Sequence, residues 1–310
     1  MERLEDVYGN DPGETDDPRS ALSPEAYAFD LFAVAAVEVV LVLVMETRAP
    51  FRTSLVLDYA DPALHALYTT HFVHSSAGHL RGNLTAYLAL VPLTYLVSLQ
   101  AGRHREFRRS FLAVLLVLPP LVSLVSLFGL DLAVEALLDF DPDVRTSRGF
   151  SSLVGAFAGV LLVATADLLR SVTDRDGPLW PVVGLLFCYG LAVAFLDVFR
   201  YTTGPLAVVL VSLPLLYAVW LLRTVEAVYR FRETVLSRDA VRRRPAALGL
   251  LVTSAVVSGW AVAKLLAFPP FAGGTNTLAH LVGLLLGVVT GYCTTMADPP
   301  DECPASGGRA

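Results

Sequence analysis

Ser151 follows Arg148-Gly149-Phe150 at the point where an acidic, polar stretch gives way to a long apolar run. A serine on the first turn of a helix lies beside unbonded backbone N–H groups and the positive end of the helix dipole. Together these stabilise an oxyanion forming on an attacked carbonyl. Serine at its ordinary pKa is a poor nucleophile and needs a base within hydrogen-bond reach, and imidazole titrates close enough to neutrality to serve. His280, in Thr277-Leu278-Ala279-His280-Leu281-Val282-Gly283, is the candidate base. His79 and Asn83 stand four residues apart, so on a helix they share a face and can address one oxygen. The chemistry this set can perform is acyl transfer, with Ser151 as nucleophile, His280 as general base, and His79, Asn83 and the Ser151 N–H as oxyanion donors.

Each of these residues alone has an ordinary structural use. Serine and glycine in membrane helices allow close packing, and a buried histidine or asparagine is commonly an interhelical hydrogen bond. What joins them is the arrangement of the spans that carry them. The chain has 310 residues, 55% hydrophobic and 17% charged, more apolar and less charged than a soluble domain. Apolar runs long enough to cross a bilayer of about 30 Å are predicted over 27–45, 80–99, 111–130, 151–169, 179–199, 205–222, 246–266 and 278–292. The expectation is an all-α polytopic membrane bundle of about eight helices, spanning 27–293. An acidic, disordered tail is expected over 1–26 and a flexible tail over 294–310. Pro119 and Pro120 predict a kink in the third span, and Pro214 one in the sixth, each freeing carbonyls that need partners from neighbouring helices. A short interfacial helix is expected near 63–70.

Arginine decides the orientation. Connections after the second, fourth and sixth spans hold Arg103 to Arg109, Arg170 and Arg175, and the run from Arg223 to Arg244. The intervening ones hold only Arg48, Arg52, Arg145, Arg148 and Arg200. The positive-inside rule then predicts a multi-pass cell-membrane protein with both tails cytoplasmic. Ser151, His79 with Asn83, and His280 all open spans entered from the outside, so three polar groups fall at one membrane depth. Small residues supply the means of bringing two of them together. Gly155 and Gly159 on the serine helix and Ala279, Gly283 and Gly287 on the histidine helix form matching faces for close approach.

His74-Ser75-Ser76-Ala77-Gly78-His79-Leu80-Arg81-Gly82-Asn83 resembles the HxxxxHxxxN motif of the rhomboid intramembrane serine proteases. Gly149-Phe150-Ser151 resembles their GxS motif, and Ala279-His280 through Gly283 to Gly287 their AHxxGxxxG final helix. The resemblance covers roughly residues 27 to 169 and 275 to 293. It implies a Ser151–His280 dyad, an oxyanion site of His79, Asn83 and the Ser151 N–H, and a more structural role for His74. It also implies single-pass transmembrane proteins as substrates, cut where their helix unwinds, and no cofactor. Departures are Ser152, where many members have glycine; Arg81 and Gly82 before Asn83; and Phe51-Arg52 in place of a Trp-Arg pair. Three spans, rather than one, lie between the serine and histidine helices, which makes a six-helix core plus two. By adjacency, 246–266 is the expected lateral gate, followed by a Pro269-Pro270 and Gly273-Gly274 cap.

Other classes fit less well. His71, His74 and His79 cluster, but without the HExxH pattern of membrane zinc proteases, so no metal site is expected. No inverted repeat supports a transporter, although Glu38 lies in the middle of the first span. No basic patch with interleaved aromatics points to nucleic acid. Cys188, Cys293 and Cys303 have no metal or redox spacing. A rhomboid-like protein that binds membrane clients without cutting them is the non-enzymatic alternative, and retention of both Ser151 and His280 argues against it.

Overall fold

The computed structural model describes residues 24–129, 145–173, 245–265 and 276–297. Its elements in chain order are α1 (Pro24–Glu46), α2 (Ala49–Ser54), β1 (Leu57–Asp58), α3 (Ala66–Thr69), a 3-10 turn (Thr70–Phe72), α4 (Ala77–Gln100), α5 (His104–Leu116), α6 (Leu118–Gly129), β2 (Thr146–Ser147), α7 (Ser151–Thr173), α8 (Pro245–Leu265) and α9 (Thr277–Ala297). Five of these helices, α1, α4, α7, α8 and α9, are long and apolar enough to cross a membrane, with a sixth span if the bent pair α5–α6 counts as one. The chain is therefore an all-α, multi-pass membrane protein. The spans expected over 179–199 and 205–222, Pro214 and the Pro269 to Gly274 cap lie outside the described residues.

The helix boundaries follow from local chemistry. Ser76 caps α4, its side chain accepting from the His79 amide at 3.1 Å. At the other end Gly102, at φ 73°, turns the chain in the left-handed region, and Arg103 N donates to Ser98 O at 2.7 Å. The α5–α6 pair bends by 49° at Val117, immediately before Pro119 and Pro120. Proline at 119 removes the donor that would reach Leu115 O, and Tyr68 from α3 fills the gap, its hydroxyl donating to that carbonyl at 2.9 Å. Tyr68→Phe should leave the carbonyl unpaired and cost about 1 kcal/mol of stability, read as a lower unfolding midpoint in mixed micelles.

Several sequence expectations are refined. The first helix begins at Pro24, three residues inside the expected tail, and the last continues to Ala297 rather than stopping at Tyr292. Thr294 helps explain the extension, because its hydroxyl meets Ser110 Oγ at 2.7 Å and donates back to Thr290 O at 3.0 Å. The third span starts at His104 instead of Phe111, since the polar first turn of α5 is held by ion pairs. Asp30 accepts from His104 and Arg108 at 2.6 Å each, and Arg103 bridges Glu106 and Asp167 at 2.9 Å each. Asp30, near the start of the first span, thus has partners.

Helix α7, which carries Ser151, is central among the described helices, 89% of its apolar stretch being buried, and α4, α8 and α9 pack around it. Its contact with α9 is the most extensive among the described helices. A Cβ added at Gly283 or Gly287 would overlap the carbonyl oxygens of Ser152 and Ala156, and one at Gly155 would lie 2.9 Å from His280 O. Backbone therefore touches backbone, which only glycine permits.

Candidate active site

The described start of α7 is prepared by a small strap. Leu57 and Asp58 pair antiparallel with Ser147 and Thr146, a two-residue sheet not expected from the sequence. Thr70 stitches it down: its hydroxyl accepts from Leu57 N at 3.1 Å and donates to Ser147 O, and its carbonyl accepts from Gly149 N at 3.0 Å. Phe150 is fully buried between Phe72 and Tyr87, with ring centroids 5.9 and 5.7 Å away. The first helical bond of α7 runs from Val154 N to Phe150 O at 2.9 Å, so the amides of Ser151, Ser152 and Leu153 belong to the unbonded first turn.

Close packing of α7 on α9 brings Ser151 Oγ to 2.8 Å from His280 Nε2. The other ring nitrogen, Nδ1, lies 3.0 Å from Leu265 O at the C-terminal end of α8. A carbonyl can only accept, so Nδ1 carries the proton and the Nε2 lone pair faces the serine hydroxyl. That is the tautomer a general base requires. Leu265 O is one of the last carbonyls of its helix, where partial negative charge favours an imidazolium. This third partner was not foreseen, because a main-chain acceptor leaves no side-chain signature.

Asn276 caps α9 and sets the height of His280. Its side-chain oxygen accepts from Ala279 N at 2.9 Å, and its Nδ2 donates to the Tyr59 hydroxyl at 2.8 Å, which ties α9 to the strap. An Asn three residues before the first capped amide is a readable signal that the sequence analysis did not use. Asn276→Ala should lower stability by about 1 kcal/mol or more and weaken any reaction at Ser151, measured by thermal unfolding alongside activity.

On the far side of Ser151 stands the pair from α4. Gly149 has φ 120°, and a Cβ there would lie 2.6 Å from His79 Cε1, 2.9 Å from His79 Nε2 and 3.7 Å from Asn83 Nδ2. Both side chains thus border Gly149, two residues before Ser151, and a side chain there would displace the His79 ring. His79 Nδ1 meets Ser75 Oγ at 3.2 Å; with that hydroxyl donating, the ring proton sits on Nε2, toward Gly149. Asn83 Nδ2 gives one of its two protons to His74 Nε2 at 2.9 Å, leaving the second for a ligand. His74 acts by holding the Asn83 amide in this orientation, and Phe150 N also points at its Nε2 from 3.5 Å. Gly283 lies against the backbone of Ser152 in α7.

Ser152 is buried and its hydroxyl lies 3.0 Å from His71 Nδ1. Burial lowers the pKa of His71 to about 4, with the Pro119 carbonyl opposing the shift. Burial and the neighbouring His79 lower His74 to about 4 as well, with Phe72 O opposing from outside hydrogen-bond geometry. Both are neutral when folded. An unfolded histidine takes its proton near pH 6.5, so between about pH 6.5 and 4 the unfolded chain binds more protons and stability falls on acidification. Unfolding midpoints should drop over that window, and His74→Gln should flatten the drop.

Among the described residues no group of three or more His, Cys, Asp or Glu side chains is placed to hold a metal. No family model, curated protein or solved structure matches the chain, so the reading of this site rests on its geometry and chemistry.

Proposed function

We propose that the chain is a rhomboid-type intramembrane serine endopeptidase that cuts transmembrane segments of other membrane proteins. The observation that carries this reading is the 2.8 Å Ser151–His280 hydrogen bond, with the opposite ring nitrogen held by Leu265 O. In the reaction, Ser151 Oγ attacks the scissile carbonyl carbon as its proton passes to His280 Nε2. The new oxyanion is addressed by the Ser151 N–H, Asn83 Nδ2 and His79 Nε2. Collapse breaks the C–N bond, and the imidazolium returns the proton to the leaving amine. Water, deprotonated by the same nitrogen, then hydrolyses the ester.

The site lies at the starts of α4, α7 and α9, all entered from the arginine-poor side, so it faces outward with both tails cytoplasmic. An α-helical peptide bond is shielded and its carbonyl already bonded, so a substrate must unwind locally before attack. Helix α8, packed on α4 and α7, is the proposed lateral gate. Cross-linking it to α4 by an engineered disulfide should stop cleavage of transmembrane reporters; unchanged cleavage would move the gate elsewhere.

The decisive experiment is cleavage of a reporter with one transmembrane segment and a helix-breaking, small-residue patch near its outer end. Wild type should cut it, and Ser151→Ala and His280→Ala should not. If wild type cuts no member of a panel of such reporters yet retains them in pull-down, the client-binding reading replaces this one.

A further inference from the structure

The molecule holds a second serine–histidine pair immediately behind the first. Ser152 Oγ donates to His71 Nδ1 at 3.0 Å, and His71 Nε2 lies 2.8 Å from Pro119 O and 2.9 Å from Ser123 Oγ. The direction of the chain is fixed by its end. Pro119 O can only accept, so Nε2 carries the proton, Nδ1 accepts, and the Ser152 hydroxyl donates. Ser152, His71 and Ser123 are 3%, 2% and 2% exposed, so no peptide carbonyl reaches this hydroxyl and the pair does not perform a reaction of its own.

Its place in the fold gives it a different task. Residue 152 is where three elements meet. Its side chain is tied through His71 to the bend between α5 and α6. Its carbonyl oxygen lies against Gly283, less than one turn beyond His280, so closely that a Cβ at 283 would overlap it. Its amide belongs to the same unbonded turn as the nucleophile. Movement of the Ser152 backbone therefore moves Ser151 and its contact with the base helix together. Phe150, packed among aromatics, holds the turn from the other side.

We propose that Ser152 and His71 are positioning residues that lock the first turn of α7, so that Ser151 and the turn's free amides keep their alignment with His280. The proposal rests on the hydrolase reading of Ser151. A hydroxyl at 152 replaces the freedom of a glycine with a fixed anchor, and His71 is the buried acceptor that makes the anchor possible. Such a role acts on the chemical step more than on substrate entry, because both side chains are buried.

The test uses the full-length protein in detergent micelles, with two readouts: kcat and KM on the transmembrane reporter, and the rate of covalent labelling by a fluorophosphonate. Ser152→Ala and His71→Leu should each lower kcat and labelling by about tenfold, within the range for a small misplacement of reacting groups, with little change in KM. The double variant should lose no more than either single one, because one chain of bonds is broken in all three. His71→Gln can accept from Ser152 and donate to Pro119 O at once, and should restore most of the rate. Thermal unfolding of each variant separates a fall in rate from a fall in folded fraction. Should His71→Leu fail to fold, Ser152→Ala, which removes a single oxygen, carries the comparison.

The proposal is overturned if Ser152→Ala labels and cleaves at the wild-type rate, if single losses multiply in the double variant, or if His71→Gln gives no recovery. It is equally overturned if labelling survives Ser151→Ala and disappears with Ser152→Ala. Failure of the hydrolase reading is seen separately, in a wild-type protein that neither labels nor cuts.

Discussion

Replacing Ser151 by alanine is expected to lower cleavage of a transmembrane reporter by about 10⁴-fold or more, a loss of about 5.5 kcal/mol of transition-state stabilisation. The expectation follows from the role of Oγ. It forms the first bond to the scissile carbon, and its proton is the one that the His280 lone pair 2.8 Å away is placed to take. His280→Ala should fall to the same floor, and the double variant should fall no further, because nucleophile and base act as one unit. Ser152→Ala, one residue along, should lose only about tenfold and so stay far above that floor. A fluorophosphonate adduct placed by mass spectrometry on the peptide containing Ser151, and absent from Ser151→Ala, would identify the atom directly. An adduct on any other serine, or undiminished cleavage by Ser151→Ala, would remove the basis of the proposed mechanism.

The second large effect is expected from Gly283→Leu and Gly287→Leu. At both positions even a Cβ would overlap a carbonyl oxygen of α7, those of Ser152 and Ala156. Backbone oxygens cannot swing aside as a flexible side chain can, so the helices must separate. Overpacking of a tight interior ordinarily costs about 1–3 kcal/mol, and a leucine between two backbones lies at or beyond the upper end. Separation by the width of a side chain also breaks the 2.8 Å Ser151–His280 bond, so activity should fall to the Ser151→Ala floor even in whatever fraction stays folded. Gly249→Ala is the matched control: nothing lies within 4 Å of its Cβ position, and alanine favours the helix by about 0.5–1 kcal/mol. Lower midpoints and lost labelling for the two leucine variants, with a normal Gly249→Ala, are the expected pattern. Leucine variants of normal stability would show that α7 and α9 do not meet through these glycines.

Much of this arrangement was readable before any coordinates. Composition and the lengths of apolar runs determine that the chain lives in a membrane, because in a bilayer the helix is one of the few ways to satisfy every backbone group. The paired prolines at 119 and 120 announced the bend, since a residue without an N–H cannot continue the ladder. Small residues at 155, 159, 283 and 287 announced the close helix pair, since backbone approach demands them. His79 and Asn83, at helical spacing, announced two donors with one direction. These signals are local or periodic, and so they survive in a one-dimensional string.

What only the tertiary structure decided is which groups complete the site. Leu265 O became the partner of His280 because the end of α8 meets α9, and every residue has a carbonyl, so nothing in the sequence marks this one. Tyr59 reached Asn276 across 217 residues, and Thr70 reached Ser147 across 77. Ser152 and His71, 81 residues apart, found each other behind Ser151. His71 belonged to a histidine cluster by sequence, yet His71, His74 and His79 face three different partners: Ser152, Asn83 and Ser75. Spacing along the chain fixes which side chains share a face. Which faces touch depends on packing among distant segments, and that is where the orientation of His280 and the anchoring of Ser151 were determined.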